Sequence, residues 1–205
     1  MGAEKSTKSA ADDRIRQEMK DLIVEAFEKI DRSNFVLPQY RESADLDIPL
    51  PIDYGQTISQ PSTVRAMFNW LGAHPGDKVL DIGSGSGWTT ALLANIVGPT
   101  GKVYAVERIP ELKKFGQKNC RRAGIKNTQF FLAGAELGLP KEAPFDRILV
   151  SAAAEHLPQE LISQLKTNGK IVMPVGNSIF EIRKRKNDLK ISEHSGFVFV
   201  PLIAE

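Results

Sequence analysis

Cysteine is almost absent from this sequence of 205 residues, since Cys120 is its only example. A single thiol excludes an internal disulfide and any cysteine-rich metal site, and it suggests a reducing, cytoplasmic setting. No apolar run approaches the roughly 20 residues that cross a bilayer. The N-terminal residues are polar and charged, with no apolar stretch like that of a signal peptide. We therefore expect a cytoplasmic protein with no metal and no membrane partner.

Neither sign of charge dominates the chain. It has 27 Lys and Arg against 25 Asp and Glu, a formal net charge of +2, so no strong global field points to nucleic acid as a partner. The one concentrated positive run is RKRK at 183–186. It could bind nucleic acid or attract acidic substrates, but on a C-terminal hairpin it is more typical of an edge strand protected by charge. We expect no nucleic-acid partner.

The chain is long enough for one well-cored domain, whereas two domains would each be marginal. We expect a disordered segment at 1–10, N-terminal helices and a substrate loop at 11–75, a cofactor-binding core at 76–176 and a C-terminal hairpin at 177–205. Apolar residues recur at three- and four-residue steps from Asp12 to Ile30, which predicts an amphipathic helix.

The stretch from 31 to 60 has three prolines and no sustained period. Its aromatic and apolar residues argue against disorder, so a packed functional loop is predicted. A helix is then predicted from Pro61 to Leu71, because proline suits a first helical turn and Gly72 is a plausible stop.

Strands alternate with helices beyond this point, which implies a parallel sheet covered on both faces. The predicted strands are 78–82, 102–106, 128–132, 145–151 and 170–174, and the predicted helices are 89–97, 110–123 and 161–165. The tail is strand-like at 179–186, 189–194 and 197–202, with a turn at Asn187-Asp188. The predicted fold is a Rossmann-like α/β domain with a mostly parallel central sheet and a C-terminal antiparallel hairpin.

The most informative segment is VLDIGSGSG, a strand that runs into a glycine loop. Gly83, Gly85 and Gly87 stand at every second position, whereas a dinucleotide fingerprint reads GxGxxG and cradles a pyrophosphate. Asp81 at the strand end suits a ligand with an amino group better than one with phosphates. Glu107 ends the second strand 20 residues after the loop, where an acid accepts hydrogen bonds from ribose hydroxyls. S-adenosyl-L-methionine meets these demands, so the segment predicts a methyltransferase that uses it.

Other segments resemble one methyltransferase family in particular, the protein-L-isoaspartate O-methyltransferases. These segments are LPI at 50–52, GQTISQP at 55–61, APFD at 143–146, AAA at 152–154, QL at 164–165, PVG at 174–176 and FVPL at 199–202. With the glycine loop they stand in the family's order over about residues 31–202. GQTISQP is the specific one, because it lies outside the cofactor motif that all such methyltransferases share.

The resemblance implies a protein repair enzyme. Such enzymes move a methyl group from S-adenosyl-L-methionine to the α-carboxylate of L-isoaspartyl residues and release S-adenosyl-L-homocysteine. The expected partners are isoaspartyl-containing peptides and damaged proteins, and the expected state is a monomer. The fold implied is that of a class I methyltransferase.

The resemblance also assigns site residues. Ser59 matches the family's active-site serine, just before a predicted helix N-terminus whose free amides and dipole suit a carboxylate. Ser59 or Gln60 could instead cap that helix, and the two roles are compatible. The residues expected at the cofactor are Thr57, Ile58, Gln60, Asp81, Gly83, Ser84, Gly85, Ser86, Gly87, Glu107, Arg108, Gly134, Ala135 and Glu136.

Two positions depart from the family's pattern. Its Gly-Asp-Gly turn near the adenine is Gly134-Ala135-Glu136 here, so either Glu136 reaches the adenine amino group or a backbone contact suffices. Its Ala-Ala-Ala-Pro is Ala-Ala-Ala-Glu here, which places Glu155 and His156 beside the site. His156 could face the substrate, although a surface-loop histidine is the more common case.

Two other functions stay open at this point. One is methyl transfer to another substrate, RNA or a small molecule. A nucleic-acid enzyme would need a larger basic face or an Asn/Asp-Pro-Pro-aromatic element, and the fourth strand ends instead in SAAA at 151–154. The other is a cofactor-binding homologue without repair activity, which the departures at Ala135 and Glu155 motivate.

Overall fold

The computed structural model describes residues 13–203, so the disorder predicted for 1–10 lies outside the described residues. The first helix, α1, has the bounds Gly2–Lys29. Its C-terminal half packs on the domain: Ile23 and Ala26 are buried, whereas Ile15, nearer the N-terminus, is 46% exposed. The predicted helix is therefore confirmed over its described part, with only one end of the apolar stripe covered.

A seven-stranded sheet forms the centre of the fold. Its strands are β3 (Lys78–Ile82), β4 (Lys102–Glu107), β5 (Thr128–Leu132), β6 (Phe145–Val150), β7 (Leu165–Val175), β8 (Ser178–Lys184) and β9 (Leu189–Ser195), in the spatial order β5-β4-β3-β6-β7-β8-β9. The first five are parallel, and β8 and β9 are antiparallel. The chain runs from β3 outward through β4 to β5 and then crosses to β6 on the other side of β3. This reversal of the strand order opens a crevice at the carboxyl ends of β3 and β6. The predicted fold class is confirmed.

Helices cover both faces of the sheet. Beyond α1 they are α2 (Pro61–Leu71), α3 (Trp88–Val97), α4 (Pro110–Arg122) and α5 (Gln159–Ser163). Nine of the ten residues of α3 are buried, as expected of a helix that is apolar all round. It lies against α1, α4 and the sheet, while α5 packs on the opposite face. No helix within the described residues is long and apolar enough to span a membrane.

The predicted packed loop at 31–60 contains short regular elements. Two 3-10 turns span Arg32–Phe35 and Pro38–Ser43, and a small antiparallel hairpin pairs β1 (Leu50–Pro51) with β2 (Thr57–Ile58). Elements this short carry no detectable period, which is why the sequence predicts none of them. The packing itself is present, since six of the segment's apolar residues are buried: Phe35, Val36, Ala44, Leu50, Ile52 and Ile58.

The C-terminal hairpin is present, but the strand predicted at 197–202 is wrong. Gly196 adopts a left-handed backbone with φ +94°, and the segment then leaves the sheet for the end of β6. There the Ala153 N–H donates to Val200 O at 2.8 Å, and the Leu202 N–H donates to Ala153 O at 2.7 Å. The apolar alternation exists, since Val198 is 88% exposed between the partly buried Phe197 and Phe199. It belongs to a segment that forms one wall of a cavity, not to a strand of the sheet.

The basic run at 183–186 does not lie on an edge strand. It covers the end of β8 and the turn to β9, and β8 pairs with β7 on one side and β9 on the other. Lys184 is engaged within the fold, since its Nζ donates to Ile162 O at 3.0 Å and Leu165 O at 2.8 Å. The interpretation as a charge-protected edge is therefore wrong for this strand.

Candidate active site

A cavity lies in the crevice, at the carboxyl ends of β3, β4 and β6. Its walls are the β1–β2 hairpin, the glycine loop, the segments after β4 and β5, and residues 200–203. Eleven of the fifteen predicted site residues line it: Thr57, Ile58, Ser59, Gly83, Ser84, Gly85, Ser86, Glu107, Arg108, Gly134 and Glu136. The other four, Gln60, Asp81, Gly87 and Ala135, lie behind or beside this lining.

The amides of the glycine loop point into the protein. The N–H groups of Gly83 and Ser84 donate to Val106 O at 2.9 and 3.2 Å. The Gly85 N–H donates to Glu107 Oε2 at 2.8 Å. A phosphate cradle needs backbone N–H groups free to face its ligand, and these three are already used. The geometry therefore argues against a pyrophosphate ligand at this loop.

Glu107 is buried at the end of β4 and lines the cavity. Besides the Gly85 amide, its carboxylate accepts the Ile109 N–H at 3.0 Å on Oε1. These two bonds fix the side chain, while an ionised carboxylate offers about four acceptor sites. Both oxygens thus keep capacity for hydroxyl donors such as those of a ribose.

Asp81 is fully buried below the loop and outside the cavity lining. Its Oδ2 accepts the hydroxyls of Thr89 at 2.9 Å and Thr90 at 2.6 Å, at the start of α3. Burial raises the pKa of Asp81 to about 6; the threonine bonds lower it and the charge of Glu107 raises it further. The structure thus places Asp81 as an anchor of α3 and the loop, with its charge held under the pocket.

Helix α4 braces the glycine loop from outside. A Cβ on Gly116 would lie 2.8 Å from Gly85 O and 3.1 Å from Gly87 N, so only glycine allows this approach. One turn later, Asn119 Nδ2 donates to Ser86 O at 3.0 Å, and Cys120 Sγ donates to Gly87 O at 3.3 Å. Burial raises the pKa of Cys120 to about 12, so this thiol stays protonated and structural.

The hairpin β1–β2 covers the other side of the loop. Ile52 Cδ1 would lie 3.0 Å from a Cβ on Gly85, so this side chain presses on the loop. Ser59 follows β2 and lines the cavity. The predicted catalytic serine and the predicted cofactor loop therefore line the same cavity.

The N-terminus of α2, predicted as a seat for a substrate carboxylate, is already capped by Asp47. Its Oδ1 accepts the Ser62 N–H at 2.8 Å, and its Oδ2 accepts Gln60 Nε2 at 3.1 Å. These hydrogen bonds lower the pKa of the Asp47 carboxyl. Gln60 is thereby directed to Asp47 and lies outside the cavity lining, and neither Ser59 nor Gln60 supplies the cap.

The end of the cavity beyond β5 differs from the family's usual pattern. Glu136 lines the cavity, whereas Ala135 lines an adjoining groove together with Glu155 and His156. The cavity wall at 137–139 is held by Gln164, whose Nε2 donates to Leu137 O at 2.8 Å and whose Oε1 accepts the Leu139 N–H at 2.7 Å. Gln164 therefore fixes the backbone of the 137–139 wall.

Several buried polar atoms in and near the cavity wall are free to form a hydrogen bond with a ligand. Ser84 Oγ, Trp88 Nε1 and Asp81 Oδ1 are buried and have no hydrogen-bond partner among the described residues. Ser84 and Trp88 line the cavity. Within residues 13–203 there is no group of three or more His, Cys, Asp or Glu side chains that could hold a metal ion. The site therefore suits an organic ligand with hydroxyls, acceptors and positive charge.

A model of the protein-L-isoaspartate(D-aspartate) O-methyltransferase family matches residues 7–205. The chain belongs to this family. It is 44% identical over 191 residues to the protein-L-isoaspartate O-methyltransferase of Pyrococcus horikoshii, covering 90% of this chain and 86% of that one. It is 47% identical over 184 residues to the one of Fervidobacterium nodosum, covering 88% and 92%.

Solved structures show the same likeness. One, a putative family member from Plasmodium falciparum in complex with S-adenosyl-L-homocysteine, is 25% identical with a TM-score of 0.79, covering 94% of this chain and 98% of that one. Another protein-L-isoaspartate O-methyltransferase is 27% identical with a TM-score of 0.80, covering 93% of this chain. This chain spans about two thirds of that longer one, 65%.

Several residues of the site escaped sequence reasoning. Arg32, Trp88, Thr89, Gln164 and the 200–203 segment had no predicted role in it. The segments LPI, QL and FVPL carried a signal, because they belonged to the family resemblance. They supply Ile52, Gln164 and part of the 200–203 wall. Arg32 had none, because the carbonyls that it binds lie 12 to 27 positions along the chain. The bonds from Thr89 and Thr90 to Asp81 are local, but they follow no recognised motif.

Gly116→Ala should weaken binding of S-adenosyl-L-homocysteine by about tenfold or more, which corresponds to about 1.4 kcal/mol. The added methyl group would force α4 away from Gly85 and so disturb the amide that holds Glu107. Isothermal titration measures the dissociation constant. Lys118→Ala, at an exposed position of the same helix, is the control and should bind normally. Unchanged affinity in Gly116→Ala would contradict the brace.

Asp81→Asn should remove a pH dependence of stability. The folded-state pKa of Asp81, about 6, lies above the ordinary 3.8, so its contribution to the free energy of unfolding falls as pH rises through that window. The difference between variant and wild type should therefore rise by about 2 kcal/mol from pH 4.5 to 7.5, measured by urea unfolding.

The matched control is Asp146→Asn. Burial opposes ionisation there too, but the Lys166 side chain and the Lys78 amide hold the pKa of Asp146 below its usual value. Its stabilising contribution is present above the ordinary pKa of 3.8 and is lost only as pH falls below it. The difference between this variant and wild type should therefore stay nearly flat from about pH 4.5 to 7.5. A flat difference for Asp81→Asn would show that the buried carboxylate is not perturbed as described.

Proposed function

We propose that this chain moves the methyl group of S-adenosyl-L-methionine to the α-carboxylate of L-isoaspartyl residues in damaged proteins, with Ser59 at the reacting carboxylate. Membership of the protein-L-isoaspartate O-methyltransferase family supports the reaction and the substrate class. The bound S-adenosyl-L-homocysteine of the Plasmodium falciparum relative supports the cofactor. The residue assignments below are drawn from the geometry of this chain.

The observation that carries the proposal is the electrostatic character of the glycine loop. Its amides at Gly83, Ser84 and Gly85 donate inward, and the carboxyls of Asp81 and Glu107 are buried around it. Such a surface favours positive charge and disfavours phosphate. S-adenosyl-L-methionine carries an ammonium and a sulfonium, so its positive charges complement the carboxyls around the glycine loop.

The lining residues divide between the parts of the cofactor. Glu107 would accept the ribose hydroxyls, since both of its oxygens keep acceptor capacity. Glu136 or the backbone at Gly134 would meet the adenine. Ser84 Oγ and Trp88 Nε1 would serve the amino acid end, with Asp81 compensating the ammonium from below the loop. Thr57 and Ile58 would separate cofactor from substrate.

The reaction does not require the protein to remove a proton from the substrate. A carboxylate with a reference pKa near 4 is ionised at neutral pH, so no general base is needed. The cofactor supplies an activated methyl group on its sulfonium. The chain's own task is positioning, which contributes on the order of 7–11 kcal/mol when reacting atoms are held in line. The Ser59 hydroxyl would hold the substrate carboxylate by a hydrogen bond, while apolar Ile52 and Ile58 limit water.

Methyl transfer to RNA is disfavoured by the same structure. The SAAA segment at 151–154 offers one serine hydroxyl and three methyl groups at this strand end. It contains no Asn or Asp side chain that could activate a base nitrogen. The net charge of +2 provides no broad attraction for a polyanion. We further propose that the chain is a cytoplasmic monomer, in which the buried thiol of Cys120 stays reduced. It would form one domain with the parts 1–10, 11–75, 76–176 and 177–205.

The enzyme should methylate an isoaspartyl peptide and leave its aspartyl twin of the same sequence unmodified. The reason is that only the isoaspartyl peptide presents an α-carboxylate beside the cavity. Transfer of a radiolabelled methyl group to each peptide measures this directly. Binding of S-adenosyl-L-methionine without any transfer would instead support the cofactor-binding homologue.

Ser59→Ala should lower kcat for the isoaspartyl peptide by about 10- to 100-fold, since a misplaced carboxylate loses much of the positioning effect. Affinity for S-adenosyl-L-homocysteine should stay within about threefold, because the variant keeps the glycine loop and Glu107. Ser62→Ala, an exposed hydroxyl on the first turn of α2, is the control. Equal losses of turnover and cofactor affinity would argue against the role given to Ser59.

A further inference from the structure

Arg32 is a buried cation in the first 3-10 turn, 6% exposed and outside the cavity lining. Burial lowers the pKa of Arg32 to about 10, against the opposing charges of Asp47 and Asp45. The guanidinium therefore stays charged at neutral pH. A buried charge is costly unless it is hydrogen-bonded, so its contacts indicate what it holds in place.

The guanidinium donates to four backbone carbonyls. Nη1 donates to Ala44 O at 2.8 Å and to Leu46 O at 3.3 Å. Nη2 donates to Ile48 O at 2.8 Å and to Ser59 O at 3.0 Å. One planar group thereby joins the backbone of 44–48 to the backbone of Ser59.

Cζ of the same guanidinium lies over the Trp88 ring, 5.1 Å from the ring centroid, as in a cation–π contact. Trp88 follows the glycine loop as the first residue of α3 and lines the cavity. Phe27 of α1 also packs against Trp88, in an edge-to-face arrangement with 5.5 Å between the ring centroids. Arg32 thus contacts both the segment that carries Ser59 and the helix that begins at the cofactor loop.

We propose that Arg32 is a positioning residue for methyl transfer, which sets Ser59 at a fixed distance from the glycine loop. This rests on the role proposed above for Ser59. The planar fork is essential to it, because a lysine ammonium carries three donors on a compact point charge and cannot serve four carbonyls while lying over an indole. Arg32 touches neither reactant, so it acts through the Ser59 backbone and the Trp88 ring.

The test is Arg32→Lys, which keeps the charge and loses the fork. The kcat and KM for an isoaspartyl peptide, the dissociation constant of S-adenosyl-L-homocysteine and the Tm are measured for the full chain. We expect kcat/KM to fall about 10- to 100-fold, since small misplacements near the reacting atoms cost that much. Cofactor affinity should change by less than about threefold, because its ribose and loop contacts remain.

Arg147→Lys is the matched control. This partly buried arginine lies on β6, where its Nε donates to Gly72 O at 2.8 Å and forms an ion pair with Asp77 at 3.6 Å. It should lower Tm and leave kcat/KM within about threefold of wild type. The proposal is overturned by unchanged kcat/KM in folded Arg32→Lys, by equal losses of kcat/KM and cofactor affinity, or by the same kinetic loss in Arg147→Lys.

Hydrogen exchange of the wild-type chain provides a second measurement that does not depend on the variant's folding or on the substrate. If Arg32 joins 44–48 to the Ser59 segment, the amides of Ala44, Leu46 and Ile48 should open together with those of 57–58 and show protection factors within about tenfold. Independent opening of the two stretches would overturn the clamp. Failure of the wild type on the isoaspartyl peptide would instead count against the proposed function alone.

Discussion

At Gly116, helix α4 and the glycine loop meet backbone to backbone. A Cβ on Gly87 would lie 2.8 Å from Gly116 O, and one on Gly116 would lie 2.8 Å from Gly85 O. This contact sets how far the strand that ends in the loop stands from the helix that follows β4. Because the Gly85 amide holds Glu107, the acid at the end of β4 is fixed by the same contact. The depth and polarity of the cavity depend on this approach.

The cofactor side of the site could be predicted from the sequence because its parts are local. Parallel strands bring their carboxyl ends to one edge of the sheet, so a loop after β3 and an acid at the end of β4 must become neighbours. The substrate side depends on contacts between distant residues that follow no period. Asp47 caps a helix that starts at Pro61, and Arg32 reaches Ser59 O across 27 positions. Only the likeness to a family pointed to Ser59.

Two positions show that a pattern gives the type of an element but not its partner. The alternation at 197–202 is that of a strand, yet the segment pairs with Ala153 instead of β9. Asp81 ends a strand, as a residue that meets a ligand would, yet hydroxyls eight and nine residues later, on Thr89 and Thr90, take its carboxylate. In both cases the outcome depends on which groups burial brings within reach.

The wall formed by Val200 to Ile203 has a consequence for the order of assembly. Synthesis proceeds from the N-terminus, so every strand of the central sheet leaves the ribosome before this segment does. The cavity therefore acquires its last wall only after the sheet is available to receive it at Ala153. A nascent chain that has already formed the glycine loop still lacks the 200–203 wall of the cavity. It therefore cannot enclose the ligand fully until this segment has docked.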